Sequence, residues 1–241
     1  MIIFNLSKIH QAIYTFNKSF YGFFKKREKR FFSYFTLNKN EEEPLLVAHC
    51  VNTGKMEGLL IKNNEAILSC KSSGKLSYTW EAIKIYCQWV GTNTFTPNRL
   101  VEILLKDGLI PNEIFYKEKL IKELKYKPDF SNENYIIEVK HVHWVRIENN
   151  ISIGYFPDCS TERGSKQMDA LIKLKQMGKK VIVIYILQRD DAEFLSIDGT
   201  IDRIYYNKSL EAKKNGVEFY AFNCKVNKDY IMINKKISFI L

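Results

Sequence analysis

The sequence predicts two domains of different class, a small β-barrel followed by an α/β domain with helices on both sides of one mixed sheet. Three observations predict it. Between residues 21 and 90, short β-like pieces alternate with Asn-Thr-Gly, Asn-Asn and Ser-Ser-Gly turns, the spacing of a small barrel. From residue 91 onward a helix, a hairpin, a second helix and further strands follow one another. Among them Lys180-Val-Ile-Val-Ile-Tyr-Ile-Leu187 is a continuous apolar run, as the buried centre of a sheet requires.

Composition bounds the function. The 241 residues are 46% hydrophobic, enough for one large or two small cores. A net charge of +10 and a pI near 9.2 favour an anionic partner, nucleic acid first and an acidic membrane surface second. The first 96 residues carry 13 Lys and Arg against 7 Asp and Glu, so most of the surplus sits there. Five scattered cysteines without a Cys-x-x-Cys pair read as thiols of a reducing compartment, and hence a cytoplasmic protein. No apolar run approaches the roughly 20 residues that span a bilayer, which excludes integral membrane association by helices.

Taken in order, Ile2, Leu6, Ile9, Ile13, Phe16 and Phe20 recur at steps of three and four, so residues 1–20 read as an amphipathic helix ahead of the barrel. Such a helix packs on its own domain, or offers a face to a second copy in a homodimer or to a membrane surface. Next, Phe23-Phe24-Lys25-Lys26-Arg27-Glu28-Lys29-Arg30-Phe31-Phe32 sets five cations between aromatic pairs. Lys25, Lys26, Arg27, Lys29 and Arg30 are candidates for tracking phosphates, a plain solvated face being the alternative. Barrel strands follow near 45–48, 58–61, 66–69 and 77–80, with 83–89 a further strand or the way out. This makes 21–90 the barrel domain and 91–241 the second domain. There Thr96 and Pro97 open a helix that runs to about Lys106, with Gly108 beyond its end. A second helix follows Asp158-Cys-Ser-Thr-Glu-Arg-Gly and ends at Gly178, and a short helix at 209–215 and a strand at 217–224 come later.

Function turns on Lys127-Pro128-Asp129-Phe130, the polar Ser-Asn-Glu-Asn of 131–134, and Tyr135-Ile136-Ile137-Glu138-Val139-Lys140. This reads as a hairpin with Asp129 on one strand and Glu138 and Lys140 on a shared face of the next. A turn centred on Asn132-Glu133 sets Asp129 opposite Ile136, diagonal to Glu138 at roughly 7 Å. Two carboxylates so placed can share Mg²⁺, or Mn²⁺, which needs only one or two carboxylates beside waters and a phosphate oxygen. Lys140 would orient the attacking water or stabilise charge on phosphate. Ile136, Ile137, Val139 and Val142 make the second strand apolar on both faces, and charges held there are costly unless paired or metal-bound.

Three other patterns compete. His141 and His143 share a strand face and suit zinc, without a third ligand at suitable spacing. Asn52-Thr53-Gly54-Lys55 lacks the second Gly of a phosphate loop and reads as a tight turn whose Lys55 can touch a phosphate. Arg163-Gly164 opens a helix whose N-H groups either bind an anion or are capped.

Several blocks recur together: Lys29-Arg30-Phe31, His49-Cys50-Val51-Asn52-Thr53-Gly54-Lys55-Met56, Tyr78-Thr79-Trp80-Glu81, Asn93-Thr94 with Pro97-Asn98-Arg99-Leu100, Asp129-Phe130, Ile137-Glu138-Val139-Lys140, and Gly154 to Asp158 running into Thr161-Glu162-Arg163-Gly164. With them the chain, from about Phe23 on, resembles the sugar fermentation stimulation protein family. The resemblance implies an OB-like barrel joined to a restriction-endonuclease-like, PD-(D/E)xK domain, with DNA binding as the attributed activity. It assigns Asp129, Glu138 and Lys140 to the nuclease-like motif and Glu102 to the helix carboxylate of that fold. It also brings Lys166 and Gln167 of the second helix towards the site, with Gln167 where His is expected. The expectation is a DNA-binding protein, RNA remaining open, with a Mg²⁺-dependent phosphodiesterase site; the alternative is a non-catalytic DNA-binding regulator.

Overall fold

The computed structural model describes residues 4–42 and 46–241; Ile2 of the stripe and Leu45 of a barrel strand lie outside them. A 3-10 turn, Leu6–Gln11, leads into β1 (Ile13–Thr15) where a helix was expected. Ile9, Ala12 and Phe16 are buried, so the three-and-four spacing is satisfied by a turn and a strand instead. β-Branched Ile13 and Thr15 and aromatic Tyr14 suit a strand, and a waiting partner edge decides it.

The barrel comprises β2 (Phe20–Glu28), β3 (Phe32–Thr36), β4 (Leu46–His49), β5 (Glu65–Cys70) and β6 (Tyr78–Ile85). Antiparallel pairing runs β4-β3-β2-β5-β6, and a parallel contact of Ala48 with Tyr78 and His49 with Thr79 closes it. Inside, the fully buried Trp80 stacks on Phe24 at 5.1 Å and meets Phe35 edge-on at 5.4 Å. The expected strand at 83–89 is broken at Tyr86, with φ 53°, into the end of β6 and β7 (Gln88–Gly91). Gly91 then meets the second domain: its N-H donates to the Gln188 carbonyl, and a Cβ there would lie 2.6 Å from Gln188 Oε1.

The second domain continues with α1 (Thr96–Lys106), β8 (Tyr116–Lys117), β9 (Phe130–Ser131), β10 (Tyr135–Val142), β11 (Trp144–Glu148), β12 (Ile151–Phe156), α2 (Glu162–Gln176), β13 (Lys180–Leu187), β14 (Phe194–Ile197), α3 (Arg203–Lys214), β15 (Glu218–Val226) and β16 (Tyr230–Ile240). The sheet order is β11-β12-β14-β16-β15-β13-β10-β9-β8. Central β13 is parallel to both β10 and β15 and buried from Val181 to Leu187, as its apolar run requires. Leu100, Val101 and Leu104 of α1 cover one face with Ile137 and Val139, while Met168 and Leu171 of α2 and Tyr205 of α3 cover the other.

Two features change the sequence-based plan. β1 pairs antiparallel with β16, Ile13 opposite Met232, so the first segment is a strand of the second domain rather than an extension. The barrel is therefore inserted between β1 and the rest of that domain. β16 also joins β14 to β15 and so links the two halves of the sheet. Among the described residues no helix is long and apolar enough to cross a membrane.

Candidate active site

The hairpin forms with a register two residues from that expected. Phe130 pairs with Ile137 and Ser131 with Ile136, which sets Asp129 directly opposite Glu138 rather than Ile136. Asn132 causes the difference: its Oδ1 accepts the N-H groups of Asn134 and Tyr135, holding the turn one residue later. A shift of two preserves the face, so the carboxylates still meet.

Every oxygen of the pair is held. Asp129 Oδ2 accepts the Val139 N-H at 2.7 Å, and Oδ1 accepts Asn98 Nδ2, from the first turn of α1, at 2.7 Å. Glu138, 3% exposed, accepts Lys140 Nζ on Oε1 at 2.8 Å and the Tyr126 hydroxyl on Oε2. Lys140, 9% exposed, also donates to Gln167 Oε1 of α2 at 2.8 Å.

Electrostatics follow from burial. Loss of water, then the neighbouring charge of Glu138, pushes the Asp129 pKa from 3.8 up to about 6. Burial opposes the charge of Lys140, but Glu138, Tyr205 and Asp129 together outweigh it and raise its pKa, so Lys140 stays a cation and is no general base. Burial and Glu138 likewise keep the Tyr126 phenol protonated. Beside these groups opens a cleft of about 600 Å³ lined by Lys125, Tyr126, Arg163, Lys166 and Gln167.

Other expected site residues separate. Glu102 is not drawn to Asp129; its carboxylate is tied to Lys117 and Lys106, while Asn98, one turn earlier, makes the contact. In the cationic run, strand alternation and a bulge turn Lys25 inward, 7% exposed, where Nζ binds the Lys39 carbonyl and Asn63 Oδ1. Arg27 fastens the Asn52-Gly54 turn through both carbonyls, and Lys26 pairs with Glu28 at 2.8 Å. Lys29, Arg30 and Lys55 remain exposed, and the last two act on Cys159 through space. They thus lie towards the loop that leads to Arg163 and Lys166. Lys166 pairs with Glu162 on the exposed helix surface, and the Gly164 N-H is capped by Thr161 Oγ1 rather than left for an anion. Gly54 lets the barrel turn approach that loop, since a Cβ would stand 2.5 Å from Asp158 Oδ2. His141 and His143 stack at 5.2 Å, and burial lowers their pKa values to about 3 and 4; among the described residues no group of three His, Cys, Asp or Glu is arranged for a metal.

Asn98 and Tyr126 are the contacts that sequence reading missed. Asn98 stands within a block already singled out, one turn before the Glu102 that was chosen. Nothing in Leu-Lys-Tyr-Lys-Pro distinguishes Tyr126, because its reach to Glu138 depends on how the 118–128 segment folds over the sheet.

Residues 26–92 match the family model described as the SfsA N-terminal OB domain, and residues 95–230 match the sugar fermentation stimulation protein RE domain. The chain belongs to the sugar fermentation stimulation protein family. A homolog of that family protein from Pelagibacter ubique (strain HTCC1062) is 35% identical over 226 residues, spanning 89% of this chain and 94% of its own. One from Geotalea uraniireducens (strain Rf4) is 32% identical over 219 residues, spanning 88% and 93%. Among solved structures, that of Pyrococcus furiosus SfsA in complex with Ca²⁺ matches with a TM-score of 0.83 at 19% identity, over 95% of this chain and 98% of that one. At that identity the match shows the family fold.

Three outcomes are expected from the geometry. Lys25→Ala lowers stability by about 1–3 kcal/mol in urea melts, through the two lost hydrogen bonds of a buried side chain. Arg30→Ala and Lys55→Ala, at exposed positions, change stability by no more than about 0.5 kcal/mol in the same melts. Tyr126→Phe frees one oxygen of Glu138, so Mn²⁺ affinity measured by calorimetry rises several-fold; unchanged affinity would show that the hydroxyl does not compete with the ion.

Proposed function

We propose that the chain binds DNA and hydrolyses phosphodiester bonds at Asp129, Glu138 and Lys140 with a divalent cation. The observation that carries this reading is the pair of opposed carboxylates beside a buried lysine, at the edge of a cleft bearing Lys125, Arg163 and Lys166. The donor set fits Mg²⁺ or Mn²⁺. Two hard oxygen ligands leave room for waters and a phosphate oxygen, and each carboxylate oxygen keeps a second lone pair. The Asp129 pKa is raised by burial first and by the facing Glu138 charge second, and a cation beside it would offset both. The Ca²⁺ complex of Pyrococcus furiosus SfsA adds support, since Ca²⁺ is also an oxygen-seeking ion.

When bound, the cation supplies Lewis-acid polarisation of the phosphate and a more acidic water. Asp129 and Glu138 would hold it, and Asn98 and the Val139 N-H keep the Asp129 carboxyl in place. Lys140, fixed between Glu138 and Gln167, offers positive charge to a developing phosphorane oxygen. Arg30 and Lys55 on the barrel and Arg163 and Lys166 on α2 extend the cationic path for the nucleic-acid backbone.

One observation favours the alternative, a non-catalytic DNA-binding regulator: Tyr126 and Lys140 already occupy both oxygens of Glu138. Cleavage of labelled single- and double-stranded DNA and RNA with Mg²⁺, Mn²⁺ or EDTA separates the two. The enzyme reading expects metal-dependent cutting that Glu138→Gln abolishes while binding persists. Binding without cleavage under every condition, in wild type and Tyr126→Phe alike, would leave the regulator.

A further inference from the structure

A second cavity, of about 340 Å³, lies between the barrel and α1 and shares no lining residue with the cleft beside Glu138. β1, β4, β5, β6, the connector and α1 all contribute to it. At its base is Glu81, 4% exposed, whose carboxyl accepts Ser69 Oγ at 2.6 Å and Asn93 Nδ2 at 2.8 Å. Burial raises its pKa, partly offset by Ser69, Asn93 and the charge of Arg99.

The walls are cationic. Arg99 lies over the Tyr14 ring, 4.5 Å from its centroid, and contacts the Tyr14 hydroxyl, yet among the described residues it enters no salt bridge. Lys71 and His49 line the same space, and His49 is held below its ordinary pKa by burial and by the charge of Lys71. At the lining stands Phe95, 58% exposed, an aromatic ring left in solvent immediately before a helix.

A guanidinium and an ammonium, a floor built on the Glu81 carboxyl with its hydroxyl and amide partners, and an exposed ring form an unusual combination. An apolar ligand would strip water from the Arg99 guanidinium and the Lys71 ammonium and give them no partner. Inorganic phosphate would use the cations and not the ring. We propose that this cavity binds a nucleoside monophosphate unit, its phosphate on Arg99 and Lys71 and its base against Phe95, drawn from either a free nucleotide or the 5′-phosphorylated end of a strand. The sequence blocks had marked His49, Glu81, Asn93 and Arg99 without giving them work, and had passed over Phe95 and Lys71. The site stands independently of the reading of Asp129 and Glu138.

Calorimetric titration of the full chain in EDTA tests it, with AMP, GMP, CMP, UMP and inorganic phosphate, and with a trinucleotide bearing or lacking a 5′-phosphate. At least one monophosphate is expected to bind at one site per chain, about tenfold tighter than inorganic phosphate. Phe95→Ala and Lys71→Ala, both at exposed positions, should each weaken it about tenfold, and Glu138→Gln should leave it unchanged. Tighter binding of the phosphorylated trinucleotide than of any monophosphate assigns the source to strand ends, and the reverse order to free nucleotide. The proposal is overturned if no monophosphate binds, if inorganic phosphate binds as tightly, if Phe95→Ala has no effect, or if Glu138→Gln removes the binding.

Discussion

Asp129→Asn is expected to give a protein that is more stable at pH 8 and unable to cut nucleic acid. In the native state the Asp129 pKa is about 6 against 3.8 for the free group, so the folded form holds this proton more tightly than the unfolded chain. That contribution favours folding at low pH and is lost as pH rises through about 4 to about 6. Above this window the native state carries the full cost of holding a charged Asp129 out of water and beside Glu138. A shift of about two units corresponds to at most about 3 kcal/mol. An Asn keeps one oxygen for the Val139 N-H and turns its amide towards Asn98, whose side chain can rotate to accept. Removing the charge should raise Tm by about 2–8 °C at pH 8 and flatten the change in stability between pH 4 and 6. Urea melts at pH 5 and pH 8 check both. A variant less stable than wild type at pH 8 would show that burial beside Glu138 does not penalise the Asp129 charge. Added Mg²⁺ should stabilise wild type by ligand linkage and leave Asp129→Asn unmoved. By the same linkage, wild-type metal affinity should fall below pH about 6, as the proton competes for Asp129.

Lys140→Met is expected to destabilise the chain by about 3–5 kcal/mol, because Glu138 would be left as a buried charge with only the Tyr126 hydroxyl to answer it. Glu138→Gln/Lys140→Met should recover most of that loss, since a neutral amide beside a thioether demands no counter-charge. The double-mutant cycle, measured by urea denaturation, should return a coupling of about 2 kcal/mol or more. A loss below about 1 kcal/mol in the single variant would mean that solvent reaches the pair freely. The comparison also separates folding from chemistry: the double variant should be folded and inactive.

Faces proved easier to read from sequence than registers or partners. Period-two alternation put Glu138 and Lys140 together correctly, and the apolar run of β13 marked the centre of the sheet. The hairpin offset failed because one side chain, Asn132, chooses between neighbouring turns of similar composition. The stripe from Ile9 to Phe16 misled because a 3-10 turn followed by a strand can bury the same positions as a helix. In the run from Lys25 to Arg30 the charges were counted as one surface, whereas a strand sends alternate residues inward; Lys25 and Arg27 became struts of the barrel. Asn98 comes from a helix 31 residues before Asp129, and Tyr126, though it borders the hairpin, reaches Glu138 only through the way its segment folds over the sheet; no local pattern announces such contacts.

The position of β16 also sets an order on synthesis. The barrel strands emerge early and have all their partners at hand, so this domain can close while translation continues. β1 emerges before any of them and must wait for a partner more than 200 residues downstream. Until that strand arrives, β12 and β14 have no link through it to β15 and β13, and both half-sheets present open edges. A nascent chain stalled before Tyr230 would therefore carry a finished barrel and two sticky half-sheets, the form most in need of a chaperone.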